Sequence, residues 1–532
     1  MNHQLCGRHW IDGRWVAEAT AGGETFAAVN PATGAALAPS FAEAALGEVE
    51  SALSAARKAF LAVGAHDPRW PADLLEAIAL QIEGLGDDLL ERAEAETALP
   101  RARLTGERAR TCAQLRMFAE VVREGSWVDA VIDRGDPTRQ PMPKPDLRRM
   151  LRPRGPVVVF GASNFPLAFG ACGGDTASAL AGGNPVIVKG HPSHPGTSEL
   201  FACAVSKALE QCQLPAGFFA LLQGRRHELS AWLVQHANTQ AVGFTGSHRA
   251  GRALFDMASR RETPIPVYAE MGSVNPVVIL PAAMRERAAA IAEELSVSLL
   301  MGGGQFCTKP GVIIVVGDGE RRFSGALARS VQDAPQATML NRGLRDAFAE
   351  RATSIANVSG VTTVVSGKAS GHAGHAPALF ETAAEVFLRE PRLREEAFGP
   401  GGLVVQCDSA EEALACVELL GGNLTGTVHI GAGEDQAIAA RVLHSLESAV
   451  GRVIVNGYPT GVEVCHAMVH GGPYPATTDP GTTSVGSAAI RRFVRPLAYQ
   501  NTPQELLPPA LRDDNPLAIR RLVDGQWTDR SW

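Results

Sequence analysis

Residues 156–189 read PVVVFGASNFPLAFGACGGDTASALAGGNPVIVK, and the order of element types in this stretch indicates the class of fold. Two runs of β-branched residues, at 157–159 and 186–188, are separated by a glycine-rich loop and a segment of small, helix-forming residues. Short apolar runs are typical of strands buried on both faces, and an intervening helix favours parallel pairing. Similar runs follow at 218–223, 241–246, 266–271 and 276–280. The pattern predicts an α/β domain built on a parallel sheet.

A second stretch of the same kind begins near Ala288. Its apolar runs lie at 312–316, 402–406, 426–430 and 452–456. Residues 133–150 and 493–532 differ, because they are rich in proline and contain few apolar positions. The second of these segments ends in a hairpin signal at Asp524-Gly525, and HWIDGRWV near the start of the chain carries the same signal. We expect two α/β domains and two extended pieces without a core of their own.

The length and composition indicate a folded, multidomain protein. The 532 residues exceed what one core usually supports, and 45% hydrophobic with 20% charged residues is ordinary for a globular chain. A net charge of −7 gives no reason to expect nucleic-acid or membrane binding. No apolar stretch approaches the ~20 residues needed to span a bilayer. Nine dispersed cysteines without zinc-like spacing predict free thiols, no metal site and a cytoplasmic location.

One cysteine stands in an unusual setting, MGGGQFCTKPGVIIVV, at residues 301–316. A structural interpretation makes Cys307 a small core residue after a glycine turn. A chemical interpretation makes it a nucleophile, since glycines let backbone amides approach a reacting atom. The cysteine alone does not decide between the two.

Strand ends in the first domain carry candidate ligand-binding residues. Lys189 ends an apolar strand, where it would hold a ligand hydroxyl or phosphate, or simply remain solvated. In GFTGSHRAG, Gly246 and Ser247 precede the start of a predicted helix, whose free amides attract phosphate. A tight turn with close helix packing explains the same glycines equally well.

Seven motifs taken together resemble one known family. In chain order they are FGASNFPLAF, VIVKGHPSHPG, GFTGS, AEMGSVNPVVI, GGGQFCTKPG, EEAFGP and GYPTGVEVCHAMVHGG. The ordered set resembles the aldehyde dehydrogenase superfamily, more narrowly its NADP-linked branch with fatty-aldehyde and 2-oxoglutarate semialdehyde (2,5-dioxovalerate) dehydrogenases.

The resemblance implies a Rossmann-type cofactor domain, an α/β catalytic domain and a small β extension for oligomerisation. The cofactor domain would comprise residues 1–132 and 151–271, and the catalytic domain residues 272–492. The extension would comprise residues 133–150 and 493–532 and would pair subunits into a homodimer or homotetramer.

The resemblance also implies catalytic roles. Cys307 would attack the aldehyde carbon, because a thiol is nucleophilic and later leaves from a thioester. The Asn164 side chain and the Cys307 backbone amide would hold the oxyanion. Glu270 would activate the hydrolytic water, with its pKa raised by burial at a strand end. Without the family, a turn asparagine and a salt-bridged glutamate would explain the last two residues.

Further residues match the family's cofactor contacts. Glu396 and Phe398 would hold the nicotinamide ribose and pack against that half of the cofactor, and Lys189 would contact the adenosine ribose. Two positions depart from the pattern of many relatives. Ser273 replaces a glycine, and Lys309 places a charge close to the nucleophile, where we expect it to point to solvent or to hold an anionic substrate tail.

The choice of cofactor is predicted to be NADP over, or at least alongside, NAD. NAD-preferring relatives carry an acid where this chain has Pro192. Ser193 can donate a hydrogen bond to phosphate, and Arg225 and Arg226 follow the next strand. Two solvated turn arginines are the alternative interpretation.

The predicted reaction is oxidation of a small-molecule aldehyde to a carboxylic acid, and 2,5-dioxovalerate is the favoured substrate. A long-chain fatty aldehyde is the alternative substrate, and a non-catalytic binding protein is the alternative class. Retention of Glu270 argues against an acylating dehydrogenase, and retention of all three catalytic matches argues against a dead homologue. A cysteine hydrolase is disfavoured because no histidine pairs with Cys307 in any pattern that the sequence shows.

Overall fold

The fold is known from a computed structural model. The structure describes residues 4–17, 24–65, 69–434 and 436–531. Within these ranges, no helix combines the length and the apolar character required to cross a membrane.

Helices occur in both halves of the chain. Their bounds are α1 (Leu46–Ala62), α2 (Trp70–Gly84), α3 (Gly86–Thr97), α4 (Arg101–Glu124), α5 (Gly174–Ala181), α6 (Pro195–Gln211), α7 (His227–Gln235), α8 (His248–Ser259), α9 (Pro281–Leu300), α10 (Arg322–Asp333), α11 (Arg342–Ala356), α12 (Ala384–Arg389), α13 (Ala410–Glu418) and α14 (Gln436–Ala449).

Strands alternate with these helices along much of the chain. Their bounds are β1 (His9–Ile11), β2 (Arg14–Val16), β3 (Thr25–Val29), β4 (Ala36–Ala42), β5 (Val131–Asp133), β6 (Leu147–Pro153), β7 (Val157–Phe160), β8 (Val186–Lys189), β9 (Phe219–Leu222), β10 (Ala241–Thr245), β11 (Val267–Glu270), β12 (Val277–Ile279), β13 (Val312–Val316), β14 (Ala337–Thr338), β15 (Val361–Val365), β16 (Ala369–Ser370), β17 (Gly374–His375), β18 (Ala378–Ala383), β19 (Gly401–Cys407), β20 (Asn423–His429), β21 (Val450–Val455), β22 (Val494–Gln500), β23 (Arg521–Val523) and β24 (Gln526–Thr528).

The first sheet has the strand order β11-β10-β7-β8-β9-β1-β2. The strands from β11 to β9 are parallel, and the hairpin β1–β2 adds an antiparallel edge. Alternate side chains of β7 enter different cores: Val157 and Val159 pack with α2, α4, α5 and α6, whereas Val158 and Phe160 pack with α1, α7 and α8. Helices therefore cover both faces, which confirms the α/β prediction.

The second sheet has the order β15-β18-β19-β13-β12-β20-β21 and is parallel except for β15. Strand β12 lies between β13 and β20 in the second sheet, although along the sequence its apolar run comes directly after the strands of the first sheet. The chain crosses between sheets at residues 271–276, where Asn275 has a φ of 48°. The Asn275 side-chain amide donates to the carbonyl oxygens of Cys307 at 2.7 Å and Lys309 at 2.9 Å. This crossing ties the cysteine loop to the end of the first sheet.

A third sheet joins two distant parts of the chain in the order β22-β6-β5-β23-β24. Asp524 and Gly525 form the turn between β23 and β24 with positive φ angles of 46° and 80°. Met150 and residues of the 493–532 segment, among them Leu511, bury a small cluster together with Ile132, which precedes the predicted 133–150 segment. The extended segments predicted from the sequence therefore share one small core.

Candidate active site

A glycine turn after α9 presents the cysteine. Residues 302–304 have φ values of 60°, 68° and 65°, which side chains with a Cβ rarely adopt. A Cβ at Gly304 would overlap the carbonyl oxygen of Gly399. The glycines are therefore required by the backbone, and they let the loop of Cys307 pass close to the segment before β19.

Three reactive side chains converge behind this loop. Cys307 Sγ lies 3.4 Å from His470 Nε2, and the same nitrogen lies 3.0 Å from Glu270 Oε1. The other carboxylate oxygen of Glu270 accepts a hydrogen bond of 2.6 Å from Ser484 Oγ. Glu270 is the last residue of β11 and is 2% exposed, and His470 is 1% exposed. A thiol, an imidazole and a carboxylate thus share one buried site.

The sequence analysis missed His470, and its statement that no histidine pairs with Cys307 is wrong. The two residues are 163 positions apart and belong to different loops, so no local spacing reports their contact. The available signal was CHAMVHGG, a motif with two histidines among the quoted set. The ligand atoms of Glu270, Cys307 and His470 all lie within 4.8 Å of one another, so this set has the atoms needed to hold a metal ion.

Asn164 connects the end of β7 to the cysteine loop. Its Nδ2 donates to the carbonyl oxygen of Gln305 at 2.8 Å, and the residue is 8% exposed. Arg103 donates to the backbone oxygen of Asn164 at 2.6 Å and lies over the rings of Phe165 and Phe306. These contacts hold the asparagine amide beside the loop that carries the thiol.

The predicted cofactor residues lie at other strand ends of the first sheet. Lys189 ends β8, and Ser193 Oγ accepts a hydrogen bond of 3.1 Å from Asn341 Nδ2, which leaves its own proton free to donate. Ser247 is the N-cap of α8, and its Oγ accepts from the amide of Ala250 at 3.3 Å. Ser247 therefore caps α8, and the backbone amides of the first turn of that helix lie next to it.

Comparisons with known proteins identify the family of this chain. The model of the aldehyde dehydrogenase family matches residues 15–475. This chain belongs to that family. The alpha-ketoglutaric semialdehyde dehydrogenase 2 of Azospirillum brasilense is 50% identical over 96% of this chain and 98% of its own length. The alpha-ketoglutaric semialdehyde dehydrogenase of Acinetobacter baylyi is 44% identical over 98% and 99%.

Solved structures support the same fold. The aldehyde dehydrogenase KauB from Pseudomonas aeruginosa aligns with a TM-score of 0.78 at 21% identity, over 94% of this chain and 97% of that one. An NAD⁺ complex of an aldehyde dehydrogenase from Bacillus cereus aligns with the same TM-score at 21% identity, over 93% and 96%. The aldehyde dehydrogenase fold predicted from the sequence is confirmed.

The charges in the reaction site of this aldehyde dehydrogenase are strongly coupled. Burial and the negative charge of Glu270 raise the pKa of the Cys307 thiol well above its usual value. Burial also acts to raise the pKa of Glu270, but the charge and hydrogen bond of protonated His470, together with the hydrogen bond from Ser484, outweigh it. The pKa of Glu270 therefore lies below its usual value. The sequence-based expectation of a raised pKa is wrong because it lacked His470.

Lys309 points neither to solvent nor to a substrate. The side chain is 1% exposed, and its Nζ donates to the carbonyl oxygens of Ala397 at 2.5 Å and Gly401 at 2.8 Å. Both expectations for this lysine are wrong, because the chain returns past it in the segment that carries Glu396 and the half-buried Phe398. Burial lowers the pKa of Lys309 to about 8, opposed by the charge of Glu396.

The pKa of Glu396 shifts in the opposite direction to that of Lys309. Burial raises its pKa to about 7, opposed by the charge of Lys309 and a hydrogen bond from the Ser273 backbone. Gly272 lies against its carboxylate, and a Cβ at that position would overlap the carboxylate oxygen. Lys309 therefore supports the segment that presents Glu396 and Phe398.

Both arginines predicted to read a 2′-phosphate have acidic partners. Arg225 Nε lies 3.3 Å from Glu43 Oε1, and its backbone amide donates to Glu43 Oε2 at 2.8 Å. Arg226 forms an ion pair with Glu24. Burial lowers the pKa of Lys189 to about 8, and the charge of Glu43 opposes that shift. A carboxylate that is remote in sequence thus lies beside Lys189 and Arg225, for which the sequence predicts contacts to the adenosine half of the cofactor.

Proposed function

We propose that this aldehyde dehydrogenase oxidises 2-oxoglutarate semialdehyde (2,5-dioxovalerate) to 2-oxoglutarate through a thioester on Cys307. The observation that carries the reaction is the convergence of thiol, imidazole and carboxylate at one buried point. The substrate is supported by the two bacterial relatives, whose names give this aldehyde and whose similarity covers nearly the whole of each chain.

The first step joins Cys307 to the aldehyde carbon. Burial and Glu270 raise the pKa of Cys307, so the thiol needs a proton acceptor. Neutral His470 takes the proton on Nε2, 3.4 Å from the sulfur, and the imidazolium so formed donates a hydrogen bond to Glu270 Oε1 at 3.0 Å. As the sulfur–carbon bond forms, the carbonyl oxygen gains the charge. The Asn164 amide and the Cys307 backbone N–H are the donors that stabilise it, a contact worth about 3 kcal/mol for each donor.

The residues at the strand ends fit a nicotinamide dinucleotide. No hydrogen bond or ion pair occupies Lys189 Nζ within the described part of the chain. The amides at the start of α8 suit phosphate, and Glu396 with Phe398 suits the nicotinamide ribose. When bound, the cofactor supplies the acceptor for the hydride that leaves the hemithioacetal carbon.

The last step hydrolyses the thioester. Glu270 accepts a proton from water as the water oxygen bonds to the acyl carbon, and the sulfur of Cys307 leaves as a thiolate, which takes back the proton held by His470. Ser484 holds one carboxylate oxygen of Glu270 at 2.6 Å, which fixes the base in position. The carboxylic acid product loses its proton and departs as 2-oxoglutarate.

We infer that NADP is used in preference to, or alongside, NAD. Pro192 carries no charge that would repel a 2′-phosphate, and Ser193 has a free donor. Arg225 and Arg226 follow β9, the strand that pairs with β8. The carboxylates of Glu43 and Glu24 offset part of this positive charge, so the preference is expected to be moderate.

The test is a panel of aldehydes with both cofactors, including 2-oxoglutarate semialdehyde, pentanal and dodecanal. We expect the highest kcat/KM for 2-oxoglutarate semialdehyde, with 2-oxoglutarate as the product by chromatography, and no turnover by Cys307→Ser. A preference for dodecanal would instead assign a fatty-aldehyde dehydrogenase. Turnover by Cys307→Ser would contradict the thioester.

We further propose a cytoplasmic homodimer or homotetramer that pairs through the third sheet. The edge strand β24 carries Trp527, which is 56% exposed, and unpaired sheet edges favour association. Sedimentation at micromolar concentration should give a dimer or tetramer, and a monomer would contradict the proposal.

A further inference from the structure

Arg110 lies on α4, on the side of that helix that approaches the reaction site. Its guanidinium lies 5.2 Å from the ring centroid of Phe169, and the ring of Phe169 lies 6.5 Å from that of His470. Its Nη2 donates to the carbonyl oxygen of Val462 at 3.4 Å. Within the described residues, no carboxylate forms an ion pair with Arg110.

Arg452 approaches the same place from the second sheet. It lies in β21, and its Nη2 donates to the carbonyl oxygens of Pro459 at 2.7 Å and Gly461 at 3.1 Å. Its Nε is buried and has no hydrogen-bond partner within the described part of the chain. This guanidinium therefore has a buried N–H group without a partner.

The two arginines converge although they come from different halves of the chain. Both donate to one loop, residues 459–462. Burial lowers the pKa of each arginine, and the charge of the Cys307 thiolate opposes that shift in both cases. The carboxylates of Glu107, Glu463 and Glu270 also act on Arg110, but only through space. Two positive groups thus lie near the nucleophile without an ion-pair partner of their own.

We propose that Arg110 and Arg452 form the site that binds the carboxylate at the far end of the substrate. The inference rests on the proposed function, since the aldehyde must carry such a carboxylate. One end of a short semialdehyde then reaches Cys307 while the other end meets the two guanidinium groups. Arginine suits this task because its planar donors match the two carboxylate oxygens.

The same pair explains selection against apolar aldehydes. An alkyl chain would displace water from two cations and offer no hydrogen bond in return, which is costly in a buried site. A semialdehyde carboxylate supplies the missing charge. The arginines therefore favour a short, anionic aldehyde over a long apolar one.

The test compares an anionic and a neutral aldehyde of equal chain length. Arg110→Met and Arg452→Met are assayed with 2-oxoglutarate semialdehyde and with pentanal, and Arg116→Met serves as the control. Arg116 lies on the same helix α4, but it is 40% exposed and pairs with Glu83 on the surface. Turnover of pentanal by each variant reports whether the reaction site is intact.

We expect kcat/KM for 2-oxoglutarate semialdehyde to fall about ten- to a hundredfold in each variant, mainly through KM. The value for pentanal should stay level or rise, because the cost of displacing water from a guanidinium group is removed, and Arg116→Met should match the wild type. Arg110→Lys, which keeps the charge but loses the planar fork, should recover part of the loss.

Equal losses for both aldehydes, or no loss for the anionic one, would overturn the assignment. Succinate semialdehyde separates this result from failure of the proposed function. If the wild type rejects 2-oxoglutarate semialdehyde but both variants lose activity on succinate semialdehyde, the proposed substrate is wrong and the arginine site stands.

Discussion

The reaction site and the proposed adenosine end of the cofactor site are built differently. At the reaction end, Cys307, Glu270 and His470 are held by contacts from remote loops, and Glu270 and His470 are almost fully buried. At the proposed adenosine end, Arg225 is 60% exposed, and the side chains of the Arg226–Glu24 ion pair are 43% and 66% exposed. Buried, cross-connected groups have few alternative positions, whereas exposed ion pairs rearrange at little cost. The chemistry is therefore fixed by the fold, and cofactor preference is easily adjusted.

The largest effect is expected at His470. His470→Asn removes the acceptor beside a thiol whose pKa is raised, so kcat/KM should fall about 10²- to 10⁴-fold and recover partly as the pH rises. His466→Asn is the matched control, because His466 belongs to the same motif but is exposed and contacts Ser487. Steady-state assays between pH 6 and 9 measure kcat/KM for both variants. Equal behaviour of the two variants would remove His470 from the reaction.

An intermediate effect is expected at the nicotinamide ribose. The pKa of Glu396 is about 7, and the ionised carboxylate is the better acceptor for ribose hydroxyls, so KM for the cofactor should fall as the pH rises through 7. Lys309→Met removes a positive charge that holds this pKa down, so the midpoint should move up by about one pH unit.

The exposed Lys207 provides the control for this experiment. Lys207→Met should leave the pH profile of cofactor KM unchanged, and Glu396→Gln should make it flat. A midpoint that stays in place in Lys309→Met would show that the lysine acts only by supporting the loop.

The smallest effect is expected at the adenosine end. Replacing Arg225 and Arg226 by alanine should lower the ratio of kcat/KM for NADP to that for NAD by roughly three- to tenfold, since both arginines already share their charge with Glu43 and Glu24. Arg260→Ala, on an exposed turn after α8, is the control. An unchanged ratio in the double variant would mean that these arginines do not read the 2′-phosphate.

The difference between the two ends also explains what could be predicted from the sequence. Strands, the α/β class and the positions of Glu270 and Cys307 follow from local runs and motifs, because short-range patterns determine elements and their ends. The glycines at 302–304 were informative for the same reason, since backbone geometry is local. The family resemblance then predicted that Asn164 and Glu396 contribute to the same site.

Pairings between remote segments could not be predicted. Glu43 lies 182 residues from Arg225, and Cys307 lies 163 residues from His470, so no spacing reports either contact. The predicted direction of the pKa shift of Glu270 was wrong for the same reason. Burial of the strand end could be inferred from the sequence, but the neighbouring imidazole of His470 could not. Lys309 was misjudged because a charge on a loop is usually solvated, and here backbone carbonyls replace the water.

The central claim is that a thioester forms on Cys307 and that Glu270 is needed only to hydrolyse it. The most direct measurement follows Glu270→Gln after rapid mixing with 2-oxoglutarate semialdehyde and NADP, with absorbance of the reduced cofactor and mass spectrometry of the protein. The account predicts a burst of about one equivalent per site, stalled turnover and an acyl group on Cys307. Loss of the burst together with turnover, and no acyl group on Cys307, would contradict it.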